Sequence, residues 1–279
     1  MTVARPTTLD QAVTALASMP DAQLLAGGTD FMVEVNFGHR RPTDVVALRR
    51  VAELGSFATD GDEVVLGANV TYSQMQTDLA KALPGLAAAA RTVGSPQIRN
   101  AGTIGGNVAT ASPAGDTLPF LAAVDADVVL ASAGGTRRLP LAGFITAAKR
   151  TAILTGELVT EVRFPAVSGP QQFLKVGTRN AMVISIACCA MVVDTDHRRV
   201  RCAFGSVAPR PLRPTDAEDF ISEALDWNAL TAPPDAVDRF AELAAAAAEP
   251  ITDHRGTAEY RRHTVKVMAR RALTRSLRA

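Results

Sequence analysis

Two short segments pair adjacent glycines with small polar residues: Ala26-Gly27-Gly28-Thr29-Asp30 and Thr103-Ile104-Gly105-Gly106-Asn107. Glycine lets the backbone come close to a ligand and adopt positive φ, so that its N–H groups can converge on anionic oxygens. Thr29, Thr103 and Asn107 add side-chain hydrogen-bonding groups. The chemistry such segments suit is the cradling of a diphosphate. One Gly-Gly turn is ordinarily only a connection; two in similar chemical surroundings point to a shared ligand. Neither reads G-x-G-x-x-G, and no G-x-x-x-x-G-K-S/T is present, so a Rossmann turn and a P-loop are both set aside.

Other reactive residue types are spaced for packing. His39, His197, His254 and His263 are scattered without metal-ligand spacing, which supports neither a metal site nor general-acid roles. Cys188 and Cys189 are adjacent in an apolar stretch, and Cys202 follows with no C-x-x-C spacing, so all three read as small core hydrophobes.

The elements that would position the glycine segments read as mixed helix and strand. Short apolar runs predict strands over 24–25, 45–48, 64–66, 128–130 and 159–164. Helical spacing predicts helices over 73–83, with Ser73 as N-cap, and over 84–92, with Pro84 in the first turn. Small and turn-forming residues at 167–170 mark a domain boundary, giving domains 1–168 and 169–279. Beyond it, strands over 172–176, 184–193 and 200–207 suggest an antiparallel sheet, the last two joined by a turn at 194–197. Helices over 236–248 and 258–277 close the chain. The last is basic, with Arg261, Arg262, Lys266, Arg270, Arg271, Arg275 and Arg278 forming a solvated face or a subunit contact. Tyr260, Val267, Met268 and Leu273 would dock it.

With 279 residues, 47% of them hydrophobic, the chain can bury a large core and is neither disordered nor fibrous. Lys and Arg number 29 against 28 Asp and Glu, and a net charge of +1 gives no global field favouring nucleic acid or a membrane. The segment Met1-Thr2-Val3-Ala4-Arg5-Pro6 lacks the apolar core of a secretory signal and no run is long enough to span a bilayer, which suggests a cytoplasmic protein.

Four stretches carry a family resemblance. They are residues 24–31 around the first glycine pair, the run Val93-Gly94-Ser95-Pro96-Gln97-Ile98-Arg99-Asn100-Ala101-Gly102 leading through the second pair to Asp116, Phe173-Leu174-Lys175-Val176-Gly177-Thr178-Arg179, and Ala258-Glu259-Tyr260-Arg261-Arg262. Together they resemble the FAD-binding medium subunit of molybdenum hydroxylases, the family of the xanthine dehydrogenase and carbon monoxide dehydrogenase medium subunits. The resemblance covers nearly the whole chain. It implies an α+β fold: a PCMH-type FAD-binding domain of two α/β subdomains, then a CO dehydrogenase flavoprotein C-terminal-like domain of antiparallel sheet and helices.

The resemblance also implies the cofactor, FAD, and its contacts. Leu25, Ala26, Gly27, Gly28, Thr29, Asp30 and Phe31, with Thr103, Ile104, Gly105, Gly106 and Asn107, would wrap the pyrophosphate and its flanking sugars. Ala111 and Asp116 match further cofactor positions; Asp116 could instead, or as well, cap a helix over 117–123. Leu158 and Lys175 match positions close to the isoalloxazine ring, where a cation would stabilise the reduced flavin. Phe31 and Tyr72 could flank the flavin or belong to the core, and Arg99 and Asn100 would hold the loop or a subunit interface. No catalytic side chain is expected.

The function implied is electron transfer. A small subunit with two 2Fe–2S clusters and a molybdopterin-binding large subunit would be partners, in a heterohexamer built as a dimer of heterotrimers. FAD would pass electrons to NAD+, oxygen or another acceptor. A stand-alone FAD-dependent reductase or oxidase of the same fold, or an assembly protein that has lost FAD, remain as alternatives.

Overall fold

The structure is a computed structural model that describes residues 2–278. The chain begins with strands Thr2–Ala4, Gln23–Leu25 and Asp44–Ala47 in a parallel sheet, the third strand lying between the first two. Parallel neighbours require a crossover. The first is the helix Leu9–Ser18, where the Thr8 hydroxyl accepts from the Gln11 N–H and Ala12 and Leu16 pack against Val46 and Leu48. The helix Phe31–Asn36, after the second strand, buries none of its residues.

A five-stranded antiparallel sheet follows in the order Phe57–Asp60, Glu63–Gly67, Leu158–Pro165, Asp127–Ser132, Gly135–Pro140. The helices Tyr72–Thr77, Pro84–Arg91, Pro96–Ala101, Ile104–Thr110 and Leu118–Ala123 lie between its second and third sequence segments. Phe120, Phe164, Leu86 and Ile104 are fully buried in the core between them. Pro84 opens its helix as expected. The helix expected over 73–83 is shorter, and Thr71 caps it instead of Ser73. Thr71 accepts from the Gln74 N–H while the Gln74 side chain returns to the Thr71 N–H; the Ser73 hydroxyl donates to Asn100 Oδ1.

The last unit is a three-stranded antiparallel sheet, Gln171–Val176, Ala187–Asp194 and Arg199–Gly205, covered by the helices Thr215–Ala224, Pro234–Ala246 and Ala258–Ser276. The turn at 194–197 is tied by the Asp194 carboxylate, which accepts from the His197 N–H. The central strand is buried along its whole length. Because side chains alternate, Ala190 and Val192 enter the core of the five-stranded sheet, while Cys189, Met191 and Val193 enter that of the last unit. One strand thus welds two cores.

The final helix departs from expectation in two places. Tyr260 is 46% exposed, and Val265, Met268, Ala269, Ala272 and Leu273 do the docking. Arg261 is no part of a solvated face. It is 3% exposed and donates to the carbonyls of Ile186 and Ser206 and to Asp253.

Candidate functional site

The four glycines of the two segments serve different ends. A Cβ on Gly27 would lie 1.9 Å from the Ala101 carbonyl oxygen, so backbone meets backbone where the two segments approach. A Cβ on Gly105 would meet the Ala68 Cβ at 2.5 Å. These two glycines hold backbones together. Gly28 instead holds a left-handed φ of +75, where a Cβ would touch Leu25 Cδ1 at 3.4 Å, and a Cβ on Gly106 would meet only Thr103 Oγ1, at 3.1 Å.

The second segment is the first turn of the helix Ile104–Thr110 and not a loop. Its amides already have partners: Ile104 N–H donates to the Val70 carbonyl, Gly105 N–H to that of Ala68, and Gly106 N–H to the hydroxyl of the N-cap Thr103. In the first segment the amides of Gly27, Gly28 and Thr29 donate to no group of the chain among the described residues. Unpartnered donors at a glycine turn, opposite a helix start whose Gly106 carries no side chain, form a cradle that fits an anion such as a diphosphate.

That cradle opens into a cleft of about 600 Å³, a volume in the range of small-molecule and cofactor sites. Ala26, Gly27, Gly28, Thr29, Asp30 and Phe31 line one side, and Thr103, Gly105, Gly106 and Asn107 another. Thr110 Oγ1 donates to Asp30 Oδ2 at 3.2 Å and so fastens the first segment to the helix of the second. A second cleft, about 510 Å³, adjoins it and shares Asp30, Glu34, Thr110 and Lys149 in its lining. Its far wall comes from the last unit, through Ile184, Ser185, Ser206 and Ile251.

The remaining candidates fall outside these linings. Leu25 is half-buried, and Ile104, Ala111 and Leu158 are buried. Val159, next to Leu158, lines the first cleft. Asp116 and Lys175 form a buried ion pair of 2.5 Å across the junction of the units. Asp116 Oδ1 also accepts from Ser185 Oγ at 2.5 Å and Oδ2 from Thr92 Oγ1 at 3.2 Å. Asp116 therefore makes no cap to the helix Leu118–Ala123, whose N-cap is Thr117. Ser185 connects this charged pair to the second cleft's wall.

Phe31 and Tyr72 line the first cleft. The Arg40 guanidinium lies 5.1 Å from the Phe31 ring centroid and pairs with Glu34 at 2.9 Å. Burial, then the negative charges of Asp116 and Asp30, push the Tyr72 hydroxyl well above the ordinary tyrosine range. Arg99 donates to the carbonyls of Val93 and Gly94 and braces the approach to the second segment. Sequence reasoning missed the wall formed by Ile153, Leu154, Thr155, Gly156 and Glu157. Gly156, at φ +83 just before a strand, was the available signal. It also missed Lys149 and Ser185, which carry no motif.

Comparison with known proteins gives the same outline. The family described as "FAD binding domain in molybdopterin dehydrogenase" matches residues 1–167, and "CO dehydrogenase flavoprotein C-terminal domain" matches residues 172–276. The xanthine dehydrogenase FAD-binding subunit of Escherichia coli O157:H7 is 31% identical over 290 residues, covering 99% of this chain and 95% of that one. The carbon monoxide dehydrogenase medium chain of Hydrogenophaga pseudoflava is 33% identical over 275 residues, covering 96% and 94%. Among solved structures, quinoline 2-oxidoreductase from Pseudomonas putida 86 superposes with a TM-score of 0.89 at 25% identity, covering 100% of this chain and 97% of that one. Among the described residues no helix is long and apolar enough to cross a membrane.

Proposed function

The chain belongs to the family of FAD-binding domains of the molybdopterin dehydrogenases, and we propose that it carries electrons from iron–sulfur clusters on a partner subunit through FAD to an acceptor. It is an FAD-dependent oxidoreductase subunit. Bound FAD supplies the exchange between one-electron input and two-electron output; the chain's own residues bind, orient and tune it.

The observation that carries this reading is that the amides of Gly27, Gly28 and Thr29, which donate to no group of the chain among the described residues, belong to a segment that lines a cleft of about 600 Å³ together with Gly106. In this assignment those amides and the Thr29 hydroxyl take phosphate oxygens. Asp30, fixed by Thr110, accepts from a sugar hydroxyl. The second cleft, which shares lining residues with the first, takes the flavin ring, with Asp116 and Lys175 acting on it from behind Ser185. Leu25, Ile104, Ala111 and Leu158 support the lining from the layer beneath.

The assembly we propose has a small subunit with two 2Fe–2S clusters and a molybdopterin-binding large subunit, in a cytoplasmic dimer of heterotrimers. NAD+, oxygen or another acceptor takes the electrons. The units fall at 1–168 and 169–279, and the relatives named as medium chain and FAD-binding subunit support this place in a complex. Co-expression with neighbouring iron–sulfur and molybdopterin subunits tests it. A complex whose flavin bleaches when its hydroxylation substrate is added supports the reading. A chain that stays alone, and whose flavin never accepts electrons from such subunits, refutes it.

A further inference from the structure

Lys149 occupies the tip of the two-residue turn between strands Ile145–Ala147 and Arg150–Thr151, in which Ala147 pairs with Arg150. Its φ is +56, a conformation that strains an L side chain and that such turns ordinarily give to glycine or asparagine. Its N–H donates to the Ala111 carbonyl at 2.9 Å, and Ala111 is itself left-handed at φ +47. The contact holds the tip against the end of the helix Ile104–Thr110. A strained lysine thus persists where glycine would be easier, and it does so at the junction of the two clefts, lining both. Strain kept at a cleft is a reason to look for a role of the side chain.

The charges at that junction specify what the side chain can do. Neither glycine segment contains a basic residue. Of the basic groups lining the first cleft, Arg40 is engaged by Glu34. The lysines whose ammonium groups form ion pairs are Lys175 and Lys266, and that of Lys149 has no partner among the described residues. Asp30 and Glu34 share the junction; their carboxylates are bound to Thr110 and Arg40.

We propose that the Lys149 ammonium takes an anionic oxygen of the bound dinucleotide where the ligand passes from the first cleft to the second. This rests on the FAD assignment. The oxygen comes either from the diphosphate or from the flavin ring, whose pyrimidine edge gains negative charge on reduction, and the recognition chemistry is the same.

Lys149→Gly separates this from a purely structural role, because glycine relieves the backbone while removing the cation. The full-length variant is expected to melt no lower than wild type and to bind FAD about tenfold more weakly, the loss of one charge-assisted hydrogen bond; Lys149→Arg restores binding. A matching loss of ADP affinity assigns the contact to the diphosphate. Unchanged ADP binding with weaker FAD binding or a lowered flavin midpoint potential assigns it to the ring. FAD affinity and midpoint potential both at wild-type values in a folded Lys149→Gly protein overturn the proposal. A wild-type chain that takes up no FAD overturns the cofactor assignment and this contact with it.

Discussion

Gly106 and Gly27 belong to similar motifs, yet replacing them should have opposite consequences. In Gly106→Ala the new methyl meets only Thr103 Oγ1, at 3.1 Å. The helix Ile104–Thr110 gains about 0.8–1 kcal/mol of intrinsic propensity when alanine replaces glycine. The Thr103 hydroxyl must shift by a few tenths of an ångström, and complete loss of its cap to the Gly106 N–H would cost about 1 kcal/mol. The two nearly cancel, so the cofactor-free protein should melt within about 2–4 °C of wild type. The methyl nevertheless stands in the cradle. If it displaces one charge-assisted contact of about 1.5–3 kcal/mol, FAD affinity falls by about tenfold to a hundredfold, and the bulkier Gly106→Val abolishes binding. Gly27→Ala, with its methyl 1.9 Å from the Ala101 carbonyl, should instead lose stability before any ligand is added. Thermal melts of cofactor-free protein and titration of FAD by quenching of its fluorescence separate the cases. A Gly106→Val protein that folds and binds FAD as tightly as wild type would refute the placement of the cradle.

Other expectations follow from the buried charges and thiols. Lys175→Met should cost about 3–5 kcal/mol in denaturant unfolding, because it leaves Asp116 buried without its cation, and Lys175→Met with Asp116→Asn should recover part of that loss. The Arg255 N–H, followed by the Arg261 guanidinium, holds Asp253 down at about 2. A depressed carboxylate contributes stability above its unfolded value of 3.8 that is lost as pH falls through about 2, so Asp253→Asn should flatten the acid limb between about pH 4 and 2. Burial pushes the Cys188, Cys189 and Cys202 thiols up. A thiol-specific chromogenic reagent should therefore label none of them in folded protein and all 3 after denaturation.

Much of the architecture was readable from local patterns. Apolar runs gave the inner strands of the sheets but not the edge strands Thr2–Ala4, Phe57–Asp60 and Gly135–Pro140, which are largely exposed, and Pro84 and the 194–197 turn were legible because their backbone chemistry is local. What escaped depended on distant partners. The cap on the helix Tyr72–Thr77 went to Thr71 through a reciprocal bond with Gln74, while the hydroxyl of Ser73, also a good capping type, is taken by the distant Asn100. Tyr260 and Arg261 exchanged roles, since an arginine is buried only where carbonyls such as those of Ile186 and Ser206 await it. The glycine segments were legible as a pair. Which of them bring two backbones together was not, because that depends on Ala101 and Ala68, residues that carry no signal of their own. Asp116 and Lys175 could be singled out, but their ion pair spans 59 residues of sequence and required the fold.

The most direct test is equilibrium titration of the purified full-length chain with FAD, followed by the absorption spectrum of the protein after removal of free flavin. One FAD per chain, competed off by ADP, is the expected result for a diphosphate cradle at Gly27, Gly28, Thr29 and Gly106. Folded protein that remains colourless at saturating FAD would contradict the assignment of these clefts.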